Sequence, residues 1–428
     1  MNKIRIGLVG AGARGIVAFG SLFVREYASV CELVALADAN RERAERGLDY
    51  LGIRGDVHQD IRDLVSRKDI DAVVITTPDY LHAEHGVAAL NAGKAVLMDK
   101  PLATTAKGCL RLLEAARRTG KLLYMGFNLR HIPHLMKMKE IVDSGALGRV
   151  FSIHAIDYYH GGRTYMARWN RLKAFSGGLF IHKGCHFFDG INWLMGAARP
   201  MRVCCFGNVS ALNERGFPFR VRDDAEPGPT CSVCAYAEEC PDRYRFGDEW
   251  IPEPSPEVRA KYASMWEENA SRKDGYHKDL CIFLSDKDTH DQGIALVEYD
   301  NGATAEHSEY FATPVSNLLF LVDGVRGHAV LDAERNLLEV RPRWSRERIR
   351  YKIPVGQGTH LGSDKHMVGE FIACLHGKQS PSALPQDGAW SVAIGEAAEI
   401  SRAEHRTVEI SEVLDVNSDL LKEPEKPR

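Results

Sequence analysis

The sequence predicts an α/β chain in two parts: a doubly wound parallel sheet over residues 1–127, then an α+β domain with a mainly antiparallel sheet over 128–428. Three observations predict it. The first part alternates short, unbroken apolar runs with helical patterns, as parallel strands buried on both faces require. From Val150 onward the runs alternate residue by residue, the period of strands with one wet face. Connections also shorten to tight turns such as Asp300-Asn301-Gly302, which join antiparallel neighbours.

In order, the expected strands of the first part are Ile4 to Val9, Glu32 to Ala37, Ala72 to Thr76, Ala95 to Met98 and Leu122 to Gly126. Helical patterns lie between them, around Ile16, Phe19 and Phe23, from Val87 to Leu90, and from Lys107 to Arg118, with Gly93 and Gly120 as terminators. A helix from His131 to Val142 opens the second part. Strands are expected at Val150 to Tyr158, Ala295 to Tyr299, Ala303 to Tyr310, Leu318 to Val322 and Leu337 to Arg341. Residues 215–290, rich in proline, read as an irregular insertion, and helices return within 365–404. The charged end from Leu421 to Arg428 is expected to be mobile.

Composition narrows the function. The chain has 428 residues, 44% hydrophobic and 26% charged, and a net charge of −3, which argues against nucleic acid or anionic membrane as partner. No apolar run approaches the roughly 18 residues that span a bilayer. Lys3 and Arg5 before Ile6 to Ala13 imitate a short export signal, but glycines interrupt that run and Arg14 ends it. It reads as a strand and loop, and the protein is expected in the cytoplasm.

Gly10-Ala11-Gly12-Ala13-Arg14-Gly15 follows the first strand and opens a helix. Glycines there allow a tight turn and close approach of a pyrophosphate to free N–H groups at the helix start. Asp38 ends the next strand, about 20 residues on, where an acid accepts hydrogen bonds from the adenosine ribose. Its charge opposes a 2′-phosphate, so NAD is favoured over NADP, with Arg41 and Arg43 near enough to weaken that preference. Further candidates sit at the carboxyl ends of later strands, where ligands bind in such sheets: Thr76-Thr77-Pro78-Asp79 with His82, and Asp99-Lys100-Pro101. A lysine in that position donates to a substrate hydroxyl and steadies a developing alkoxide.

These motifs, with Ala92-Gly93-Lys94, Gly126-Phe127-Asn128-Leu129-Arg130, Ser144-Gly145-Ala146-Leu147-Gly148, Ser176-Gly177-Gly178, His186-Phe187-Phe188-Asp189 and Trp193-Leu194-Met195-Gly196, resemble those of the Gfo/Idh/MocA oxidoreductases. The resemblance implies a Rossmann domain and a large open sheet carrying the substrate pocket. It also implies NAD(P)-dependent oxidation of a sugar, glycoside, inositol or related polyol, by a homodimer or homotetramer. Lys100 and His186 are then the catalytic pair, and Gly10, Gly12, Ala13, Arg14, Gly15, Asp38, Thr76, Thr77, Pro78, His82, Asp99, Lys100 and Asn128 the cofactor residues. Arg168, Trp169, His182, Lys183, His186 and Asp189 are the substrate residues, the first two also because aromatic faces and forked donors suit sugar rings. Arg163, Tyr165, Asn170 and Arg171 lie in the same stretch.

Two departures matter. The family's Glu-Lys-Pro is Asp99-Lys100-Pro101 here, and its D-x-x-x-H is His182-Lys183-Gly184-Cys185-His186. An imidazole at 186 suits proton acceptance near neutrality. His182 becomes a third catalytic candidate: neutral, it can only hydrogen-bond, whereas protonated beside Lys100 and Lys183 it would favour a substrate with an acidic group or an electron-rich sugar face. Two other readings stay open at this stage. Some relatives cleave glycosides by transient oxidation and elimination with no net redox change, and a non-catalytic sugar or NAD sensor is a third reading, against which the retained pair of Lys100 and His186 argues.

Ten cysteines are too few for a disulfide scaffold. Cys231, Cys234 and Cys240, in an insertion expected to have little core of its own, have a spacing that suits a structural metal, with Cys281 as fourth ligand or His277 in its place. Zinc is favoured over an iron–sulfur cluster. The arginines at 341, 343, 346, 348 and 350 read as a solvated strand face or an oligomer contact.

Overall fold

The computed structural model describes residues 3–244, 273–354 and 359–422. The first sheet has six parallel strands: β1 (Ile4–Val9), β2 (Cys31–Ala37), β3 (Asp56–His58), β4 (Ala72–Ile75), β5 (Ala95–Asp99) and β6 (Leu123–Gly126). Their order, β3-β2-β1-β4-β5-β6, reverses direction of growth at β1 and β4, so the crevice opens at the carboxyl ends of those two strands. The apolar runs are buried on both faces, as a parallel sheet under helices demands. Capping follows sequence: Asn40 accepts from the Arg43 amide at the start of helix Arg41–Leu51, and Thr105 from Gly108 at the start of Ala106–Thr119, which ends on Gly120 at φ 65°. The helix after the glycine loop is wound wide, as π-helix, over Arg14–Gly20 and Leu22–Glu26.

The second sheet holds β7 (Val150–Tyr158), β8 (Pro200–Asn208), β9 (Gln292–Tyr299), β10 (Thr304–Tyr310), β11 (Asn317–Gly324), β12 (Gly327–Asp332), β13 (Leu337–Pro342), β14 (Ile349–Tyr351) and β15 (Val408–Glu409). The order is β14-β13-β12-β11-β7-β10-β9-β8-β15, antiparallel except where β10 runs parallel to β7. Helix Cys185–Met195 covers one face, and helix Pro385–Glu404 packs across it and onto Ala106–Thr119 of the first domain. The first sheet also takes a helix from far down the chain. Met367, Val368, Phe371 and Ile372 of Ser363–Leu375 join the core of Phe19, Phe23 and Tyr124, with Tyr124 and Phe371 edge to face at 5.5 Å.

Of the expected insertion, residues 245–272 lie outside the described residues, as does the expected tail beyond Lys422. The described part of the insertion has a core of its own. Phe217 meets Phe219, Tyr236 and Phe283 edge to face within 5.8 Å, and Leu212, Cys281 and Phe283 pack on Tyr165 and Phe311. This corrects the metal expectation. Cys231, Cys234, Cys240 and Cys281 are free thiols, and among the described residues no three His, Cys, Asp or Glu side chains gather to hold an ion. Cys281 is buried in the apolar cluster, and Cys231 Sγ accepts the Tyr244 amide at 3.4 Å, so aromatic packing supplies what a zinc staple was expected to. The arginine strip is tied at Glu339, which takes Arg341 at 2.6 Å and Arg350 at 2.7 Å. No described helix is long and apolar enough to cross a membrane.

Candidate active site

A cleft of about 920 Å³ runs along the carboxyl ends of the first sheet and under the second domain. At its floor Gly10 sits at φ 96°, and a Cβ there would lie 2.7 Å from the Thr76 carbonyl oxygen. Thr76 Oγ1 donates to the Gly10 carbonyl at 2.8 Å and holds the turn. A Cβ on Gly15 would meet that same carbonyl at 2.1 Å, so Gly15 closes the turn from behind and does not itself line the cleft. A Cβ on Gly12 would meet no described atom beyond its chain neighbours within 4 Å, which leaves room for a pyrophosphate against the loop amides. Asp38 stands at one end of this cradle, accepting the Ala11 amide at 2.8 Å. Arg41 turns away to Glu45 at 2.7 Å, while Arg43 grips Asp38 at 2.6 Å. The cradle and its acid fit a dinucleotide.

Arg14 also lines the cleft, but its charge is spoken for. It pairs with Asp99 at 3.0 Å and with Asp364 at 2.8 Å, its guanidinium 4.5 Å over the Phe19 ring. Asp364 further accepts Asn128 Nδ2 at 2.8 Å and lies 2.7 Å from His360 Nδ1. A fully buried carboxylate at the start of a C-terminal helix thus organises Arg14, Asp99 and Asn128.

At the other end, Lys100 Nζ donates to the His182 carbonyl at 2.8 Å, just before a cis peptide to Pro101. His186 lines the same end, 5.9 Å from the Phe127 ring, and its Nδ1 is buried with no hydrogen-bond partner among the described residues. Burial, then the nearby Lys100 charge, holds the His186 imidazole well below its usual range, so it is neutral. His82 is buried with its two nitrogens on the carbonyls of Pro101 (2.6 Å) and Thr77 (2.9 Å), bracing both strand-end loops.

The residue standing where the family has an aspartate brings one with it. His182 Nδ1 lies 2.6 Å from Asp79 Oδ2, and both side chains are largely buried. Burial pushes the Asp79 carboxyl up to about 7, against the pull of His82 and Lys100. Burial, then Lys100, pushes His182 well below its usual range. On the acid side of about pH 7 both directions favour a protonated Asp79 donating to a neutral imidazole. Of the two states open to His182 the lowered value favours the neutral one, which hydrogen-bonds and adds no positive charge for an acidic substrate.

Arg168 and Trp169 line the cleft, with Tyr165 and Asn170; the Trp169 and Tyr165 rings stand edge to face with His182 at 5.3 and 5.6 Å. Asn170 Oδ1 is buried without a partner among the described residues. Arg163 and Arg171 are drawn aside, to the Arg243 carbonyl and to Asp286. Two expected substrate residues turn inward. Lys183 pairs with Asp157 at 3.3 Å under the Tyr159 and Phe187 rings. Asp189 sits nearly a turn beyond His186, fully buried, and pairs with Arg130 at 2.6 Å. Neither lines the cleft. Asp79, His360, Asp364 and Asp274 at this site were absent from the expected set; Asp79 alone had a signal, standing in the strand-end cluster with His82.

Fold and cleft together define a two-domain, NAD(P)-dependent oxidoreductase. The chain belongs to the Gfo/Idh/MocA oxidoreductase family: residues 4–127 match its NAD-binding Rossmann fold and residues 139–225 its C-terminal alpha/beta domain. It is 32% identical over 304 residues to an inositol 2-dehydrogenase of Klebsiella pneumoniae, covering 66% of this chain and 86% of that one. It is 27% identical to the Bacillus subtilis protein YteT, whose name calls it an oxidoreductase, across 96% of this chain and 98% of that one. The match to the inositol 2-dehydrogenase of Salmonella typhimurium, 38% identical, spans 35% of this chain and 45% of that one. Among solved structures, levoglucosan dehydrogenase in complex with NADH superposes with a TM-score of 0.70 at 19% identity, covering 96% of this chain and 99% of that one. That likeness concerns the fold.

Proposed function

We propose that this protein reversibly oxidises a secondary hydroxyl of a sugar, glycoside, inositol or related polyol, with NAD as the partner. The observation that carries the reading is the convergence of Lys100 and His186 on one end of the cleft whose other end is a phosphate cradle. The names of the inositol 2-dehydrogenases to which the chain is similar support the substrate class. Asp38 supports NAD over NADP, since a carboxylate accepts ribose hydroxyls and opposes a phosphate.

Bound NAD supplies the acceptor for the hydride that leaves the carbinol carbon. The chain's own part is the proton and the geometry. His186, neutral and lining the substrate end of the cleft, accepts the hydroxyl proton. Lys100, aimed by the His182 carbonyl, donates to the substrate oxygen as its negative charge develops. Asp79 is a positioning residue: it fixes His182, and with it the carbonyl that holds Lys100. Arg168, Trp169 and Asn170 orient the ring and its remaining hydroxyls, and Arg14, Asp99 and Asn128 hold the cofactor side of the cleft in register. The test is NADH absorbance with a panel of inositols, anhydrosugars and hexoses. NADH formation with one of them supports the reading; substrate loss with no net NADH would favour transient oxidation and elimination instead.

The same proposal extends to assembly and place. The outer face of the second sheet exposes Phe206 (67%), with Met201 and Leu296, a surface suited to a homodimer or homotetramer; light scattering decides it. All ten cysteines are free, in keeping with the cytoplasm.

A further inference from the structure

The acidic end of the cleft holds more than the glycine loop and Asp38 require. A carboxylate offers about four acceptor positions, and on Asp38 they are filled. Oδ2 takes the Ala11 amide at 2.8 Å and Arg43 Nε at 3.1 Å; Oδ1 takes the Asn40 amide at 2.9 Å and Arg43 Nη2 at 2.6 Å. The guanidinium reaches further. Its Nη1 donates to Asp274 at 2.5 Å, and Asn40 Nδ2 donates to the same carboxylate at 3.1 and 3.2 Å. Beside it, Lys273 pairs with Glu42. Asp274 lies on the long connection between β8 and β9, 231 positions along the chain from Arg43, yet lines the cleft together with Asp38.

We infer that Asp274 is a positioning residue for the dinucleotide and acts through Arg43 to favour NAD over NADP. This rests on the reading of Asp38 as the ribose acceptor. For Asp38 to accept ribose hydroxyls, Arg43 has to release at least one oxygen. Asp274 gives the guanidinium a second anchor, so that release leaves no unpaired charge. The same anchor keeps the fork away from a 2′-phosphate. Removing the Asp274 charge acts in one direction twice. Arg43 either stays on Asp38 and competes with the ribose of NAD, or turns to the phosphate of NADP.

The experiment is an equilibrium titration of NADH and NADPH, followed by nicotinamide fluorescence, on wild type, Asp274→Asn, Asp274→Glu and each Asp274 form in an Arg43→Ala background. The expected result is that Asp274→Asn raises NADPH affinity relative to NADH by about tenfold, the scale of one charge-assisted hydrogen bond. Asp274→Glu restores most of the wild-type ratio. In Arg43→Ala the Asn substitution moves the ratio by only a small part of that amount. Asp274 is 27% exposed, so its variants fold, which a thermal midpoint checks. A wild type that prefers NADH with an Asp274→Asn ratio within about twofold of it overturns the role of Asp274 and leaves Asp38 standing. An undiminished shift in the Arg43→Ala background overturns the route through Arg43. A wild type that binds NADPH as tightly as NADH overturns the Asp38 reading itself, and this inference with it.

Discussion

Asp79 and His182 meet at 2.6 Å across the boundary between the two domains, burial raising the acid and lowering the imidazole so that the proton favours Asp79. Asn keeps a donor in the acid's place, whereas Ala does not. Asp79→Asn is therefore expected to keep turnover within a few-fold of wild type, and Asp79→Ala to lose about tenfold or more through a misplaced Lys100. Steady-state kinetics with cofactor affinity measured alongside decides it; an Asn variant as impaired as the Ala variant would show that a charged carboxylate is needed.

The same carboxyl gives a stability signature. Its folded pKa of about 7 lies above the ordinary carboxylate value of 3.8, so its stabilising contribution is full at low pH and is lost as pH rises through about 7. Denaturant midpoints of wild type are expected to fall relative to Asp79→Asn between about pH 4 and about pH 7 and to run level above that. Parallel profiles would contradict a raised Asp79.

His186 and Lys100 carry the chemistry in this reading. His186→Ala and Lys100→Met are each expected to lower turnover by about a hundredfold or more while NADH binding survives. If His186→Ala keeps most of its turnover, the proton acceptor lies elsewhere, and His182 is next.

Because burial and Lys100 hold His186 neutral, the acid limb of kcat/KM should lie below the ordinary imidazole value of 6.5. A limb at or above that value would mean His186 titrates as a free imidazole does, and its environment would need another account.

Asp364 joins the last third of the chain to the cofactor site. Asp364→Ala leaves Arg14 with Asp99 alone and Asn128 Nδ2 without its carboxylate, and is expected to cost about 2 kcal/mol of stability, the scale of a lost charge-assisted hydrogen bond. Urea unfolding measures it; a loss under about 0.5 kcal/mol would show that Arg14 rests on Asp99 alone.

What could be read from the sequence is what is written locally. The glycine loop, Asp38, Lys100 and His186 each sit at a strand end or in a short motif, and the structure brings all four to the cleft or its rim. Arg14 and Asp364, 350 positions apart, leave no local trace of their pairing, nor do Arg43 and Asp274. Short edge strands such as Asp56–His58 and Ile349–Tyr351 were missed because three half-wet residues carry no usable period. The zinc expectation failed for a related reason: cysteine spacing is visible in sequence, whereas the contacts of Phe217, Tyr236 and Phe283 that fill the insertion are not.

The most direct test of the central claim is transfer of label. A polyol that reduces NAD is prepared with deuterium at the oxidised carbon, and the NADH formed is examined by mass spectrometry, with wild type and His186→Ala side by side. The expected result is one deuterium in each NADH, one NADH for each substrate consumed, and about a hundredfold slower transfer in the variant. Unlabelled NADH, or substrate consumed without NADH, would contradict it.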